Sequence, residues 1–153
     1  MATMVFAVGA AALVPLVAGS VRTTRTARDT GLATWMAWQK VEELRGLTYA
    51  RDLAGVPLTD TWTDTTREPA VHTGGTGLDP SPSSSLVADT PGYVDYLSES
   101  GRRAPARGVF VRRWAIEPVG VADGLIRIAV TVHHVNAPGQ VTTVATLRAR
   151  RTP

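Results

Sequence analysis

The sequence predicts an α+β fold: one long N-terminal helix, apolar in its first half and amphipathic in its second, packed on a small antiparallel β-sheet. Three observations predict it. Residues 2–20 are almost wholly apolar. Residues 22–48 carry apolar side chains at helical spacing. Residues 109–153 carry three runs with the two-residue alternation of strands. Between the helical and strand regions, residues 49–108 are rich in Gly, Pro, Ser, Thr and Asp, the chemistry of a variable loop region. The 153 residues suffice for one modest domain.

The first half of the helix, residues 1–21, contains ATMVFAVGAAALVPLVAGSV, without a charge. At about 1.5 Å per residue such a helix crosses a hydrocarbon core of about 30 Å. Gly9, Pro15 and Gly19 weaken a soluble helix but are tolerated in a membrane, where small residues let helices approach closely. A cleaved secretory signal is the rival reading, with Ala18-Gly19-Ser20 as its small-residue site. No Lys or Arg precedes the apolar run, however, so the basic region of a signal is missing. Arg22, Arg25 and Arg28 follow the run directly, which on the positive-inside rule taken alone sets the rest of the chain in the cytoplasm.

From Val21 to Leu47 there is no proline. Leu32, Ala33, Met36, Ala37, Val41, Leu44 and Leu47 form one broad apolar face on a 3.6-residue wheel, with Gln39, Glu42 and Arg45 mainly opposite. Gly46 is the expected C-terminal stop. Trp38 borders the apolar face, whereas Trp35 lies nearer Glu42 on the polar side and is a candidate partner contact.

In the loop region the run His72-Thr-Gly-Gly-Thr-Gly77 lacks the strand, helix and lysine of a phosphate cradle. Asp60, Asp64, Asp89 and Asp95 offer hard oxygens but not the alternating spacing of a calcium loop. Tyr93 and Tyr96 belong to a more ordered stretch, and Arg102, Arg103 and Arg107 read as a solvated basic loop. Three strands follow, at 109–117, 125–135 and 140–149, joined by short turns into an antiparallel meander. Phe110, Trp114 and Ile116, with Ile126, Ile128, Val130 and Val132, supply the face that meets the helix. Arg127, Thr131 and His133 take the opposite face.

Function classes narrow by elimination. A net charge of +3 gives no footprint for nucleic acid. The absence of cysteine excludes disulfides and thiolate metal sites. His133 and His134, adjacent in a strand, point to opposite faces and do not share a metal ion, and His72 stands alone in a loop. Serines cluster in a linker with no nucleophile elbow, and Glu42 and Glu43 diverge around the helix. No catalytic, cofactor-binding or metal-binding residue is therefore assigned, and no small-molecule substrate is expected.

The order of elements resembles type IV pilins, minor pilins and type II secretion pseudopilins. ATMVFAVGAAAL at 2–13 is similar to the interior of the prepilin-type helix, and WQKVEELRGL at 38–47 resembles an element of the PilV-like minor-pilin branch. GYVDYLSESG at 92–101 and Arg-Arg-Trp at 112–114 are weaker likenesses. The resemblance implies a non-enzymatic structural subunit that is anchored in the inner membrane by one helix. Its head lies in the periplasm or on an extracellular filament. Its partners are other pilins or pseudopilins, and it acts in assembly or priming. Val5, Phe6, Val8, Leu13, Pro15 and Leu16 are the residues expected to pack in the filament core. The family's leader, cleavage glycine and glutamate are not in the sequence; the resemblance implies that they precede Met1, and that a basic leader sets the head outside. The alternatives are a secreted or membrane-anchored extracytoplasmic binding module and, with less support, an anchored hydrolase using His72.

Overall fold

The computed structural model describes residues 2–105, 107–120 and 124–152; of these, the side chains of 2–19, 21 and 22 lie outside the described set. The chain is α+β. Helix α1 spans Ala2–Gly46, and among the described residues six strands follow: β1 (Tyr49–Arg51), β2 (Pro57–Thr59), β3 (Val94–Leu97), β4 (Phe110–Pro118), β5 (Leu125–His134) and β6 (Ala137–Ala149). Two compact units divide the chain, residues 1–31 and 32–153. In the first, the Thr24 hydroxyl donates to the Ser20 carbonyl one helical turn back. Among the described residues no helix is long and apolar enough to cross a membrane. The membrane reading of residues 1–21 falls on side chains outside the described set.

In the second unit, the α1 segment from Leu32 to Gly46 packs on an antiparallel sheet of order β3-β4-β5-β6. Ala33, Met36, Ala37, Val41 and Leu44 are buried, and Leu32 and Leu47 are partly so, which is the stripe that helical spacing predicts. They meet Phe110, Trp114, Ile116, Ile126, Ile128, Val130 and Val132. Each large apolar side chain so buried contributes about 1.5–3 kcal/mol before chain entropy is counted. The helix ends at Gly46, and Arg148 of β6 donates to the Leu44 and Leu47 carbonyls, satisfying groups that a helix end leaves open.

Three features depart from the sequence expectation. The sheet has a fourth strand, β3, inside the region read as loop, with Asp95 opposite Arg112 and Leu97 opposite Phe110. A second, two-stranded sheet, β1-β2, follows the helix at once. The sheet's second face is also covered: Val111, Ala115, Ala129, Thr131 and His133 are all buried. Residues 81–89 cross that face. Ser81 exchanges hydrogen bonds with the Ile116 backbone, Thr131 donates to the Leu86 carbonyl, and Asp89 accepts from Tyr96 and pairs with Arg113. Thr131 and His133 lie on the face opposite the helix, as the alternation predicts, and this loop buries them there.

Candidate functional site

Lys40 sits four residues after Met36 and four before Leu44, so helical geometry turns it inward with the apolar stripe. It is completely buried. Its Nζ lies 3.2 Å from Glu43 Oε2 and 3.8 Å from Asp95 Oδ2, and it donates to the Thr65 carbonyl. The same nitrogen rests 3.7 Å from the centre of the Trp114 ring, a cation–π contact in a desolvated setting.

The sheet supplies the other side. Because alternate strand residues share a face, Arg112 points toward the helix with Phe110, Trp114 and Ile116. Its guanidinium grips Asp95 through two bonds, Nε to Oδ1 at 2.9 Å and Nη2 to Oδ2 at 2.7 Å. Its Nη1 donates to the Met36 carbonyl at 2.9 Å. Arg103 joins from the segment after β3, reaching Glu43 at 3.0 Å, Asp95 at 3.2 Å and the Thr65 carbonyl. Helix, sheet and two loops thus meet at five charged side chains.

Among the described residues, Lys40, Arg103 and Arg112 pair with the carboxylates of Asp95 and Glu43, one cation more than there are carboxylates when Lys40 is protonated. Burial pushes Lys40 down to about 7; Asp95 and Glu43 oppose the fall, and Arg112 and Arg103 add to it. The shortage of acceptors shows elsewhere too, since Arg103 Nη1 is buried without a hydrogen-bond partner. Such a cluster contributes little net stability over an apolar replacement, but removing one partner strands the others and costs about 3–5 kcal/mol.

Lys40 has no exposed surface, so the cluster offers no path for a substrate to its amine. A hollow of about 150 Å³ lies outside it, lined by Gln39, Glu43, Arg67, Glu68, Arg103 and Arg112 among others, with no serine or histidine in its wall. Among the described residues, no group of three or more His, Asp or Glu is placed to hold a metal ion. What this geometry does chemically is fasten the helix to the sheet at a fixed rotation and height.

The other singled-out residues find local employment. Asp60 accepts from the Thr63 hydroxyl and the Trp62 and Thr63 amides, Asp64 accepts from Thr66, and Asp89 holds Tyr96 and Arg113; Asp95 belongs to the cluster. His133 lies buried on the second face while His134 meets Phe110 edge-on at 5.1 Å, so the two do point apart. His72 stands 3.5 Å from the Thr63 hydroxyl. Trp35 is half exposed and lies over Gly101, whose positive φ and missing Cβ make room for the ring. Val5, Phe6, Val8, Leu13, Pro15 and Leu16 lie among the side chains outside the described set.

Sequence reasoning missed the cluster. In the sequence Arg103 reads as part of a solvated basic stretch with Arg102 and Arg107, but of the three it is the one that is not exposed. One signal was available: the chain's sole lysine occupies a position in the middle of the apolar stripe. Apart from Glu43 on the same helix, its partners are remote: Asp95 and Trp114 lie 55 and 74 residues away in sequence, where no periodicity reaches them. No family model, curated protein or solved structure matches the chain.

Proposed function

We propose that the chain is a structural, non-enzymatic filament subunit of the type IV minor pilin or type II secretion pseudopilin kind. In this reading residues 1–21 are held in the inner membrane and then in the filament core, and the residues from Leu32 onward form the extracytoplasmic head. The observation that carries the reading is the order of the chain: an uncharged apolar run, then a helical stripe whose inner face packs on an antiparallel sheet. A five-membered charge lock between that stripe and the sheet supports it, because a subunit that bears load through its helix needs the head fixed to it in one orientation. The function is then mechanical, and the partners are other subunits engaged through Val5, Phe6, Val8, Leu13, Pro15 and Leu16, with Trp35 as a contact on the head.

Photo-crosslinking in cells tests the reading. With a photoreactive residue at Val8 or Leu13, the chain is expected in the membrane fraction, joined to small proteins with similar apolar N-terminal helices. Recovery as free soluble protein, without such adducts, would overturn it and favour a secreted binding module.

A further inference from the structure

Strand β6 is the longest strand and stands at one edge of the four-stranded sheet. Its backbone direction can be read from its end. The Arg150 amide donates to the Gly124 carbonyl, toward β5, so the residues at even positions from 142 to 148 face β5 in the same way. Val141, Thr143, Ala145, Leu147 and Ala149 therefore turn their amides and carbonyls outward. Arg151, next in that set, exchanges backbone hydrogen bonds with Tyr49 and Arg51, so β1 occupies the edge there. The side chains of these five residues, Val141 to Ala149, are all exposed, with Val141 at 52% and Leu147 at 60%.

Natural sheet edges are commonly guarded by charge, proline or a covering segment. Here Gln140 to Leu147 carries no charge, Pro138 lies near one end and Arg148 at the other. The run Val141-Thr-Thr-Val-Ala-Thr-Leu147 is also nearly palindromic about Val144. A two-fold antiparallel pairing needs residue i opposite j and j opposite i. Centred on Val144, such a pairing sets Val141 against Leu147, Thr142 against Thr146 and Thr143 against Ala145, twice each. The two large exposed apolar side chains meet each other, threonine meets threonine, and Arg148 falls opposite Gln140 rather than another arginine. Outward-facing residues oppose outward-facing residues, so their hydrogen bonds are completed in pairs.

We propose that β6 is a self-association edge, joining two copies of this chain into a continuous sheet by antiparallel pairing of residues 139–149 about Val144. The pairing is independent of the filament reading, since it uses only the edge of the head.

The chain has no cysteine, so single introduced thiols report the register directly. Thr143→Cys and Ala145→Cys chains are made separately in the full-length protein and then mixed under mild oxidation. In the proposed register these two positions face each other across copies at about 5.5 Å between Cα atoms, within the disulfide range of about 4.4–6.8 Å. The mixture is expected to form disulfide dimers about tenfold or more faster than either chain alone, because the thiols are held at high effective concentration. Val87→Cys, on an exposed loop, is the collision control. Equal rates in the mixture, in each single chain and in the control would overturn the pairing. Rapid dimerisation of Ala145→Cys alone would overturn the register. Association through another surface gives no preference for the mixture. In a second measurement, Ala145→Lys is expected to weaken self-association about tenfold in sedimentation while leaving the circular dichroism melt unchanged. Unchanged association would count against the edge.

Discussion

The two edges of the four-stranded sheet are built in opposite ways. At the β3 edge the chain folds back on itself: the Ala104 amide donates to the Tyr96 carbonyl, Leu97 bridges Arg103, and Gly101 lies against Trp35. Asp95 anchors that edge to Arg112, Arg103 and Lys40. At the β6 edge an uncharged run is left facing outward. The closed edge shows how internal backbone partners are supplied when an edge is to stay single; among the described residues the open one has none from Val141 to Ala149. Substitutions should therefore cost folding stability at the first edge and association at the second.

The largest effect is expected from Asp95→Ala. It leaves three cations facing Glu43 alone, and the loss should be about 3–5 kcal/mol in urea unfolding. A loss below about 1 kcal/mol would show that the lock is dispensable.

The pH response comes next. Lys40 titrates near 7 when folded and at its ordinary 10.5 when unfolded. Between those values the unfolded chain holds a proton that the folded chain has shed, so stability rises with pH across that window, by at most about 1.4 kcal/mol per pH unit. Below pH 7 both states are protonated and the contribution is at its lowest. Lys40→Met balances the cluster at two cations and two carboxylates, so it should flatten the slope between pH 7 and 10. An unchanged slope would remove Lys40 as its source.

Gly101→Val should cost about 1–3 kcal/mol, since a Cβ there would stand 2.4 Å from the Trp35 ring on a backbone with φ of +75°. Thermal melts with Trp35→Ala in the same chain separate the two causes: relief of the clash recovers part of the loss, and the backbone strain stays. The smallest change in stability, within about 0.5 kcal/mol, is expected from Ala145→Lys on the open edge. A large loss there would mean that β6 is bound into the fold more tightly than its exposure indicates.

Legibility in the sequence divides along similar lines. Met36, Ala37, Val41 and Leu44 were readable because their spacing repeats, and so were Ile126, Ile128, Val130 and Val132. Strand β3 was not, because four residues between a proline-glycine turn and a serine turn are too few to display a period. The covering of the second face was hidden because a Pro- and Ser-rich segment looks the same on a surface as over a sheet. The charge lock was hidden for a different reason. A single Lys, Arg or Asp in a sequence reads as solvated, and burial becomes affordable only through partners that the tertiary fold brings in. The near-palindrome in β6 was in plain view, but it acquires meaning only once the strand is known to stand at an edge.

The enclosure of Lys40 has a practical corollary. It is the chain's sole lysine, so the folded protein presents no lysine amine to acylating reagents or to lysine-directed proteolysis. Labelling at that position must wait for the helix to part from the sheet, so the rate at which a single acyl group appears on Lys40 times that opening.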